Sequence, residues 1–372
     1  MANRVLFDNG PQGGGLSFTD AAQIIRADTP DQVGPALAQM ERAQRDGYWL
    51  AGAASYELGY MFSHKLRDLM PPDRDVPLLH FGVFDAPTTG THMPPTDTAT
   101  LSTPVPAWSL ADYTSAFDRV KDYIGAGDIY QANLTFALTC TRTGSLDALY
   151  AQLKSKQAVP FGALIDLGGP ALLSRSPELF FAIDANRTLK ARPMKGTAPR
   201  GSTPAKDVAL AKWLQKSDKN RAENLMIVDL LRNDISRISD IGSVKVPSLF
   251  AVETYATLHQ MTSSITATLR ANVTLTEIFE ALFPCGSITG APKIRTMQII
   301  QELETTPRGA YCGAIGWIAP NGSMSFNVAI RTLTCFEDNR VTLNVGGGVV
   351  YDSDAGGEYA EALLKGQYAA LG

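Results

Sequence analysis

Two glutamates and a lysine near the C-terminus are spaced so that they could act together on one ligand. They are Glu358, Glu361 and Lys365, and spacings of three and four residues place them on one face of a helix. An apolar run with three consecutive glycines, 346–348, precedes them. Glycine weakens a strand, so this run favours a place where a ligand approaches the backbone closely. An exposed salt bridge and a β-bulge are the structural alternatives.

Lys195 and Glu178 are candidates for covalent and acid–base chemistry. Lys195 lies in RPMKGT (192–197), between a predicted strand and a turn. Burial would lower the pKa of its amine and make the neutral form available as a nucleophile. Glu178 follows the turn in SRSPE (174–178), and partial burial would keep it protonated as a general acid. For either side chain, solvent exposure is the structural alternative.

The remaining candidates are a helix start, a glycine turn and one histidine. Glu223 begins a long apolar helix, and His259 lies in the segment HQMTS. The turn GSITGAPK (286–293) leads into a predicted helix at 294–303, whose first amides could bind an anion. No base is identifiable near Cys285, so we interpret this cysteine as a structural thiol.

The elements that must position these residues predict an α+β fold with antiparallel sheets. Apolar residues at helical spacing predict helices over 19–45, 113–126 and 223–237. Apolar and polar residues alternate along 326–331, which predicts a strand with Arg331 on the face opposite the apolar residues. Asn321-Gly322 and Asp338-Asn339 are hairpin-turn signals. Regular βαβ alternation is missing, which argues against a doubly wound nucleotide fold.

The 372-residue chain carries 33 basic and 37 acidic side chains, a formal charge of −4. Hydrophobic residues make up 45% and charged residues 19%, which predicts a globular protein with ample core. The mild negative charge indicates no nucleic acid partner, and no apolar run is long enough for a membrane span. Four separated cysteines, four histidines and no apolar leader predict a cytoplasmic protein with reduced thiols and no His/Cys zinc site.

A stretch rich in proline and threonine, 86–107, contains no lysine or arginine. Such a composition is typical of a loop or linker. We therefore interpret 1–372 as one large domain. It would consist of an N-terminal part (1–85) that completes the sheets, the Pro/Thr-rich connection (86–107) and a catalytic core (108–372).

The ordered set of motifs resembles the chorismate-utilising enzymes, the family of anthranilate, aminodeoxychorismate, isochorismate and salicylate synthases. The resemblance is strong from Tyr113 to the C-terminus and weaker at SYELGY (55–60). It implies two antiparallel β-sheets packed face to face, with helices on the outside, and chorismate as substrate. The matching segments are GDIYQANLT (127–135), SRSPE (174–178), RPMKGT (192–197), AENLMIVD (222–229), HQMTS (259–263), GSITGAPK (286–293), GAIG (313–316), FNVAIR (326–331) and residues 346–365.

Two positions divide the reactions within the family. Isochorismate synthases carry a lysine base where this chain has Gln131, which cannot deprotonate water, so isochorismate formation is not expected. Aminodeoxychorismate synthases resemble this chain in having a lysine at the position of Lys195, where anthranilate synthases have alanine. The resemblance implies that Lys195 attacks C2 of chorismate and that ammonia then adds at C4, giving 4-amino-4-deoxychorismate. Anthranilate synthesis is the alternative, and a non-catalytic chorismate or amino-acid binder is a second alternative.

The resemblance also implies roles for the other candidates. Glu178 would protonate the departing C4 hydroxyl, with His259 close by. Glu223 and Glu361 would ligate Mg²⁺, with Glu358 assisting, and the ion would hold the ring carboxylate. The implied substrate-binding residues are Gln131, Thr197, Gly290, Tyr311, Arg331, Gly347 and Lys365.

Some expected features of the family are missing from the sequence. Asn220 stands where an acidic residue is expected, which places a supporting metal contact there in question. No cysteine nucleophile elbow of a glutaminase is recognisable. The resemblance therefore implies a separate glutamine amidotransferase subunit as the ammonia donor.

Overall fold

Within the part of the chain that the structure describes, strands from both ends of the chain assemble into two antiparallel sheets of 11 and 10 strands. The computed structural model describes residues 3–11, 13–90, 95, 97–255 and 258–371. Short turns join many of the neighbouring strands, as antiparallel pairing permits. The Asn321-Gly322 turn, for example, connects two paired strands whose register runs from Ile318 opposite Met324 to Ala314 opposite Val328.

The first sheet contains the glycine-rich strand predicted from the sequence. Its order is β17-β9-β21-β20-β11-β10-β1-β2-β6, and β7 and β8 also pair with β9. Its strands are β1 (Arg4–Phe7), β2 (Leu16–Thr19), β6 (Thr88–Thr89), β7 (Thr100–Leu101), β8 (Val105–Pro106), β9 (Gln131–Thr143), β10 (Phe161–Asp166), β11 (Ala171–Ser176), β17 (Gly290–Ala291), β20 (Thr332–Cys335) and β21 (Arg340–Val349). The ladder between β9 and β21 is long and places glycines 346–348 beside residues 133–135.

The second sheet carries the segments of Lys195 and His259. Its order is β14-β16-β13-β12-β19-β18-β4-β5-β3, and β15 also pairs with β16. Its strands are β3 (Gln23–Ala27), β4 (Trp49–Ala54), β5 (Leu79–Phe84), β12 (Leu179–Ile183), β13 (Thr188–Arg192), β14 (Met194–Pro199), β15 (Lys245–Thr254), β16 (Leu258–Thr268), β18 (Ala314–Ile318) and β19 (Met324–Val328).

The N-terminal part of the chain contributes strands to both sheets. In the first sheet β1 pairs with β10, and in the second β4 pairs with β18. The described residues of the Pro/Thr-rich connection form β6, β7 and β8, which pair with β2 and β9. Residues 91–94 and 96 of that connection lie outside the described residues.

The described residues form eight α-helices and four short 3₁₀-helices. The α-helices are α1 (Pro30–Arg45), α2 (Leu110–Gly125), α3 (Leu146–Lys156), α4 (Pro204–Lys216), α5 (Asp218–Ser236), α6 (Leu275–Leu282), α7 (Lys293–Leu303) and α8 (Ala355–Gly366). The 3₁₀-helices are Tyr56–Phe62, Arg67–Leu69, Gly286–Ile288 and Gln367–Ala369. Side-chain caps fix where α5 and α8 begin. Ser217 accepts a hydrogen bond from the amide of Asn220, and Asp354 accepts one from the amide of Gly357.

The single helix predicted over 19–45 is wrong, because this stretch contains two elements. Ile24 and Ile25 lie in β3, opposite Gly82 and Phe81 of β5, and α1 begins only at Pro30. Proline favours the first position of a helix and disfavours helical backbone in the residue before it. The helix therefore cannot extend upstream through Thr29, and the preceding apolar pair is free to join the sheet.

The apolar faces pack into layers that confirm the predicted α+β fold. One buried cluster combines strands of both sheets, among them Phe18 and Ile165 of the first with Phe84 and Trp317 of the second, so the sheets pack face to face. A second cluster packs α1, α5 and α6 against the second sheet, and a third packs α2, α3, α7 and α8 against the first. Within the described residues, no helix has both the length and the apolarity needed to cross a membrane.

Candidate active site

A cavity of about 620 Å³ lies between β21 of the first sheet, β14 and β16 of the second, and helices α5 and α8. Polar and charged side chains from separate parts of the chain line it. The predicted site residues on its wall are Glu178, Lys195, Thr197, Glu223, Tyr311, Arg331, Gly347, Glu358, Glu361 and Lys365. The fold thus gathers most of the predicted residues around one space.

An irregularity in β14 sets the position of Lys195. The register between β14 and β16 shifts between Met194 and Thr197, and Gly196 between them has a φ of 86°. This φ favours glycine, and a Cβ at position 196 would also lie 2.8 Å from Oδ1 of Asn220, whose side chain would have to move. Burial lowers the pKa of Lys195, while the nearby carboxylates of Glu178 and Glu223 act in the opposite direction.

Glu178 lies immediately before β12, and only 5% of its surface is exposed. The Ser287 hydroxyl donates a hydrogen bond of 2.8 Å to its Oε1. Burial raises the pKa of Glu178 to about 7, although the Ser287 contact and the charge of Lys195 oppose this change. A carboxyl group with this pKa can hold and release a proton near neutral pH.

Three glutamates from two helices share another wall of the cavity. Glu223 projects from α5, and Glu358 and Glu361 project from α8. Burial raises the pKa of Glu223, and the charges of Glu358 and Glu361 raise it further. Lys365 bonds to Glu361 at 2.8 Å, and its amine also donates to the Gly346 carbonyl at 2.9 Å.

These glutamates fit a hard divalent cation in donor type. Carboxylate oxygens suit Mg²⁺, and a cation would relieve the repulsion that the charges of Glu358 and Glu361 add to the effect of burial on the pKa of Glu223. In the part of the chain that the structure describes, however, no three acidic, histidine or cysteine side chains converge closely enough to hold a metal. Glu361 pairs instead with Lys365, and Glu358 accepts a 2.7 Å hydrogen bond from Ser353.

A further region of the cavity wall carries a half-buried positive charge. Arg331 follows the end of β19 with a φ of 50°, and burial lowers its pKa. No acidic side chain of the described residues pairs with it, so its charge is available to an anion. Tyr311 lines the same cavity, and burial raises the pKa of its phenol well above the ordinary value.

The strand predicted over 326–331 is too long, and its alternation does not explain the position of Arg331. The strand β19 ends at Val328, after which the amide of Ala329 bonds to the Gly313 carbonyl at 2.9 Å. The chain then bends, and the Arg331 carbonyl accepts a hydrogen bond from the Arg175 amide at 2.9 Å. A bend between the two sheets, rather than strand alternation, therefore directs Arg331 to the cavity.

Comparison with known proteins identifies the family to which this cavity belongs. A family model described as chorismate binding enzyme matches residues 90–370. The chain belongs to the chorismate-binding enzymes. It is 39% identical over 314 residues to aminodeoxychorismate synthase component 1 of Klebsiella aerogenes, covering 83% of this chain and 68% of that protein.

Other proteins are also similar to this chain in sequence or in structure. Anthranilate synthase component 1 of Haloarcula marismortui is 40% identical over 272 residues, 73% of this chain and 55% of that protein. The solved structure of anthranilate synthase component I from Streptococcus pneumoniae has a TM-score of 0.80 and 25% identity, covering 99% of this chain and 90% of that one. Four further bacterial relatives named aminodeoxychorismate synthase are 42–44% identical, and the chain spans only 35–56% of their length.

Three predicted site residues of this family member do not line the cavity. His259 lies between two cavity residues of β16, Leu258 and Gln260, and strand alternation turns it to the opposite side. Its ring nitrogens contact the Thr254 hydroxyl and the Asp207 carboxylate, each at 2.9 Å. The structure therefore does not bring His259 to Glu178, contrary to the expected proximity.

Gly290 and Gln131 lie behind the cavity wall. Gly290 is in β17, where a Cβ would lie 2.1 Å from the Gln131 carbonyl, so its glycine is required by strand packing. Gln131 is 1% exposed, and neither its amide nitrogen nor its amide oxygen has a hydrogen-bond partner among the described residues. A Cβ on Gly348 would lie 2.6 Å from this amide nitrogen and 3.5 Å from the Lys195 amine, which places Gln131 close to Lys195.

Several cavity residues were not predicted from the sequence. They are Asn133, Lys219, Ser287, Asn344 and Tyr368, among others. Asn133 and Ser287 lie inside motifs that were quoted, but the motifs alone do not indicate which polar side chains point inward. Tyr368 follows α8 and had no recognisable signal.

Proposed function

We propose that the protein converts chorismate and ammonia to 4-amino-4-deoxychorismate. The observation that carries this proposal is a half-buried lysine with a lowered pKa, Lys195, on the wall of the same cavity as Glu178, whose pKa is raised. These shifts favour the neutral amine and the protonated acid, the two forms that a displacement by lysine needs. The similarity to aminodeoxychorismate synthase component 1 supports the same reaction.

In the proposed reaction Lys195 is the nucleophile of a displacement and Glu178 protonates the leaving group. The Lys195 amine forms a bond to C2 of chorismate as the bond between C4 and its hydroxyl breaks. Glu178 gives its proton to the departing hydroxyl, which leaves as water. Ammonia then adds at C4 and the bond to Lys195 breaks, so the net reaction consumes chorismate and ammonia and releases the amino product and water.

Other residues of the cavity would bind the substrate's two carboxylates. We propose that Arg331 and Tyr311 hold the enolpyruvyl carboxylate, because Arg331 is a half-buried charge without an acidic partner among the described residues. Thr197, Gly347 and Lys365 would complete the anion-binding wall. Gly290 shapes the wall only indirectly through its packing on β9, and no step is assigned to His259.

The ring carboxylate would be held through Mg²⁺. We propose that Glu223 and Glu361 are its protein ligands, with Glu358 assisting, since all three face the cavity. When bound, the ion would supply the positive charge that a carboxylate substrate needs beside three glutamates. The amine of Lys365 neutralises Glu361 without the ion and would remain beside it to bind substrate.

A separate glutamine amidotransferase subunit would deliver the ammonia. The relatives that support this are named component 1, which implies a second component. We propose that free ammonium salts replace that subunit in the assay. Turnover with glutamine should then require addition of the amidotransferase, whereas turnover with ammonium should not.

Anthranilate synthesis is the second candidate function. The similarity to anthranilate synthase component 1 of Haloarcula marismortui, at 40% identity, favours it. Lys195 argues for the first candidate, because direct amination at C2 does not use a lysine nucleophile.

Product identification decides between these functions. The purified protein is incubated with chorismate, Mg²⁺ and ammonium, and the products are separated and identified by mass and fluorescence. We expect 4-amino-4-deoxychorismate. Release of fluorescent anthranilate would establish the second candidate instead, and binding of chorismate without turnover would indicate a non-catalytic binder.

A further inference from the structure

Ser287 forms a direct contact with the proposed acid, although none of the roles above uses it. Its hydroxyl donates to Oε1 of Glu178 at 2.8 Å, and Sγ of Cys285 lies 3.3 Å from the same hydroxyl. Ser287 and Cys285 are each 3% exposed, so water does not compete freely for either contact. The three groups form a short buried chain at the acid side of the cavity.

The direction of the hydrogen bonds among these three groups follows from which of them can donate a proton. Ser287 has one hydroxyl proton and gives it to Glu178, so its oxygen is left to accept the thiol proton of Cys285. Burial raises the pKa of Cys285 to about 12, so the thiol keeps its proton throughout the neutral range. With the thiol donating to it, the Ser287 hydroxyl is free to point only at the carboxyl group.

This direction determines where Glu178 carries its acid proton. Oε1 is already an acceptor, so the proton of the neutral acid belongs on Oε2. When that proton passes to the departing hydroxyl, Glu178 becomes a carboxylate and the bond from Ser287 becomes charge-assisted and stronger. The contact therefore favours the state that follows proton transfer, which is the condition for accelerating the step.

We propose that Ser287 is a positioning residue for the proposed reaction, holding Oε1 of Glu178 so that Oε2 delivers the proton to the substrate. The inference rests on the proposed function of Glu178. Two other charged groups face Glu178, Lys195 from β14 and Arg192 from β13, and the backbone amide of Met194 also approaches it. The Met194 amide is a second hydrogen-bond donor to the carboxyl group. Ser287 differs from the two charged groups because its contact is a direct hydrogen bond, and the oxygen that accepts it is identified as Oε1.

The test compares side chains of equal shape with and without the hydroxyl. Ser287→Thr keeps the hydroxyl, and Ser287→Val replaces it with a methyl group of similar size. We expect Ser287→Val to lower kcat about tenfold to hundredfold, the usual effect of losing a hydrogen bond to a charged group, with KM for chorismate changing less than about threefold. Ser287→Thr should restore most of kcat.

The pH profile separates positioning from general damage. The Ser287 contact lowers the pKa of Glu178, so its loss should move the alkaline limb of kcat to higher pH. Ser176→Ala is the matched control. That hydroxyl is equally buried and bonds to the Val328 carbonyl at 2.6 Å and to the backbone of Glu178, but not to the carboxyl group. Ser176→Ala should leave the alkaline limb of kcat at the same pH as in the wild type.

A titration without substrate keeps this inference separate from the proposed function. Carbon NMR of the labelled glutamate carboxyls should show the Glu178 pKa rising in Ser287→Val, even if the protein proves to make another product. Identical titrations and identical kcat profiles in the wild type and Ser287→Val would overturn the role of Ser287. Failure of the wild type to aminate chorismate would overturn the proposed function alone.

Discussion

The pKa values of Lys195 and Glu178 shift in opposite directions, because the same burial acts on two groups whose charged forms have opposite signs. Burial disfavours the ammonium form of the lysine and the carboxylate form of the glutamate, so one pKa falls while the other rises to about 7. Their mutual attraction opposes both shifts without cancelling them. The cavity therefore brings the proposed nucleophile and the proposed acid toward their reactive forms at the same pH.

Replacing the proposed nucleophile should abolish product formation without unfolding the protein. Lys195→Ala removes the amine, and we expect amination of chorismate to fall at least about a thousandfold, or about 4 kcal/mol of barrier. The variant should retain its melting temperature, since removing the half-buried amine relieves the cost of its desolvation. Steady-state rates and a covalent-adduct search by mass spectrometry provide the measurement. Full activity in the variant would exclude a lysine adduct.

The proposed role of Glu178 as the acid predicts how kcat changes on the alkaline side of the pH profile. Glu178 must be protonated to donate, and its pKa is about 7, so kcat should be retained below that value and lost as the pH rises through it. Glu178→Gln cannot donate a proton and should reduce kcat by about 10²–10⁴-fold at every pH. A stopped assay from pH 5.5 to 9 provides the measurement. A flat alkaline region in the wild type would contradict this assignment.

The glycine strand β21 shows how a single element can serve both folding and the site. Its three glycines have different neighbours. A Cβ on Gly346 would lie 2.3 Å from the Leu134 carbonyl, whereas one on Gly347 would lie 3.0 Å from Oε2 of Glu358. A Cβ on Gly348 would contact the Gln131 amide instead. The ladder with β9 thus requires the first glycine, whereas a Cβ at either of the other two positions would press on side chains of the site.

Alanine substitutions should separate these two requirements. We expect Gly346→Ala to destabilise the protein by about 1–3 kcal/mol, because strand backbone has to move. Gly347→Ala and Gly348→Ala should unfold near the wild-type denaturant concentration but lose activity, since they displace Glu358 and Gln131. Urea unfolding and steady-state kinetics on the same three proteins provide the test. Equal destabilisation by all three would show that the strand alone requires glycine.

The sequence predicted elements best where local signals agree. The glycine run, the helix with Glu358 and Glu361, and the hairpin turn at Asn321-Gly322 were all identified, because spacing and turn chemistry act over a few residues. The helix predicted over 19–45 was wrong because the two isoleucines, Ile24 and Ile25, fit both the helical and the strand period. Only the proline at the capped start of α1 marks the boundary between the two elements.

Positions that depend on tertiary contacts could not be predicted in this way. Arg331 reaches the cavity through a bend, and strand alternation turns His259 away from it, although both were chosen from motifs. The contact between Ser287 and Glu178 joins residues 109 positions apart. Motifs identify chemical types in order along the chain, but only the packed sheets determine which atoms meet.

At the scale of the whole molecule, one buried ion pair ties separate segments together. The Arg308 guanidinium pairs with Glu304 at 2.7 Å and donates to the carbonyls of Asn133 in β9 and Ile288 in a 3₁₀-helix. It also lies 4.5 Å from the ring centre of Tyr56, in the N-terminal part. Asn133 and Ile288 line the cavity, so this arginine connects the cavity wall to the N-terminal part of the fold.

Removing this arginine should therefore destabilise the fold strongly. We expect Arg308→Met to cost about 3–5 kcal/mol, because Glu304 would remain as a buried charge without its ion-pair partner. Arg340→Met is the control, since Arg340 pairs with Asp75 at the surface at 3.2 Å and such pairs contribute about 1 kcal/mol or less. Guanidinium unfolding measures both variants. Equal stability of the two would contradict a central role for the buried pair.

The sheet topology argues that the N-terminal part and the core fold as one unit. In the fragment 108–372, β10 would lose its partner β1 and β18 would lose β4, leaving one edge of each of these strands unpaired. The cluster between the sheets would also lose Phe18 and Phe84. We expect the full chain to melt in one transition, and the fragment to lack near-ultraviolet circular dichroism and to aggregate. A fragment with its own cooperative melt would show instead that 108–372 is an independent domain and that the first strands are added to a finished core.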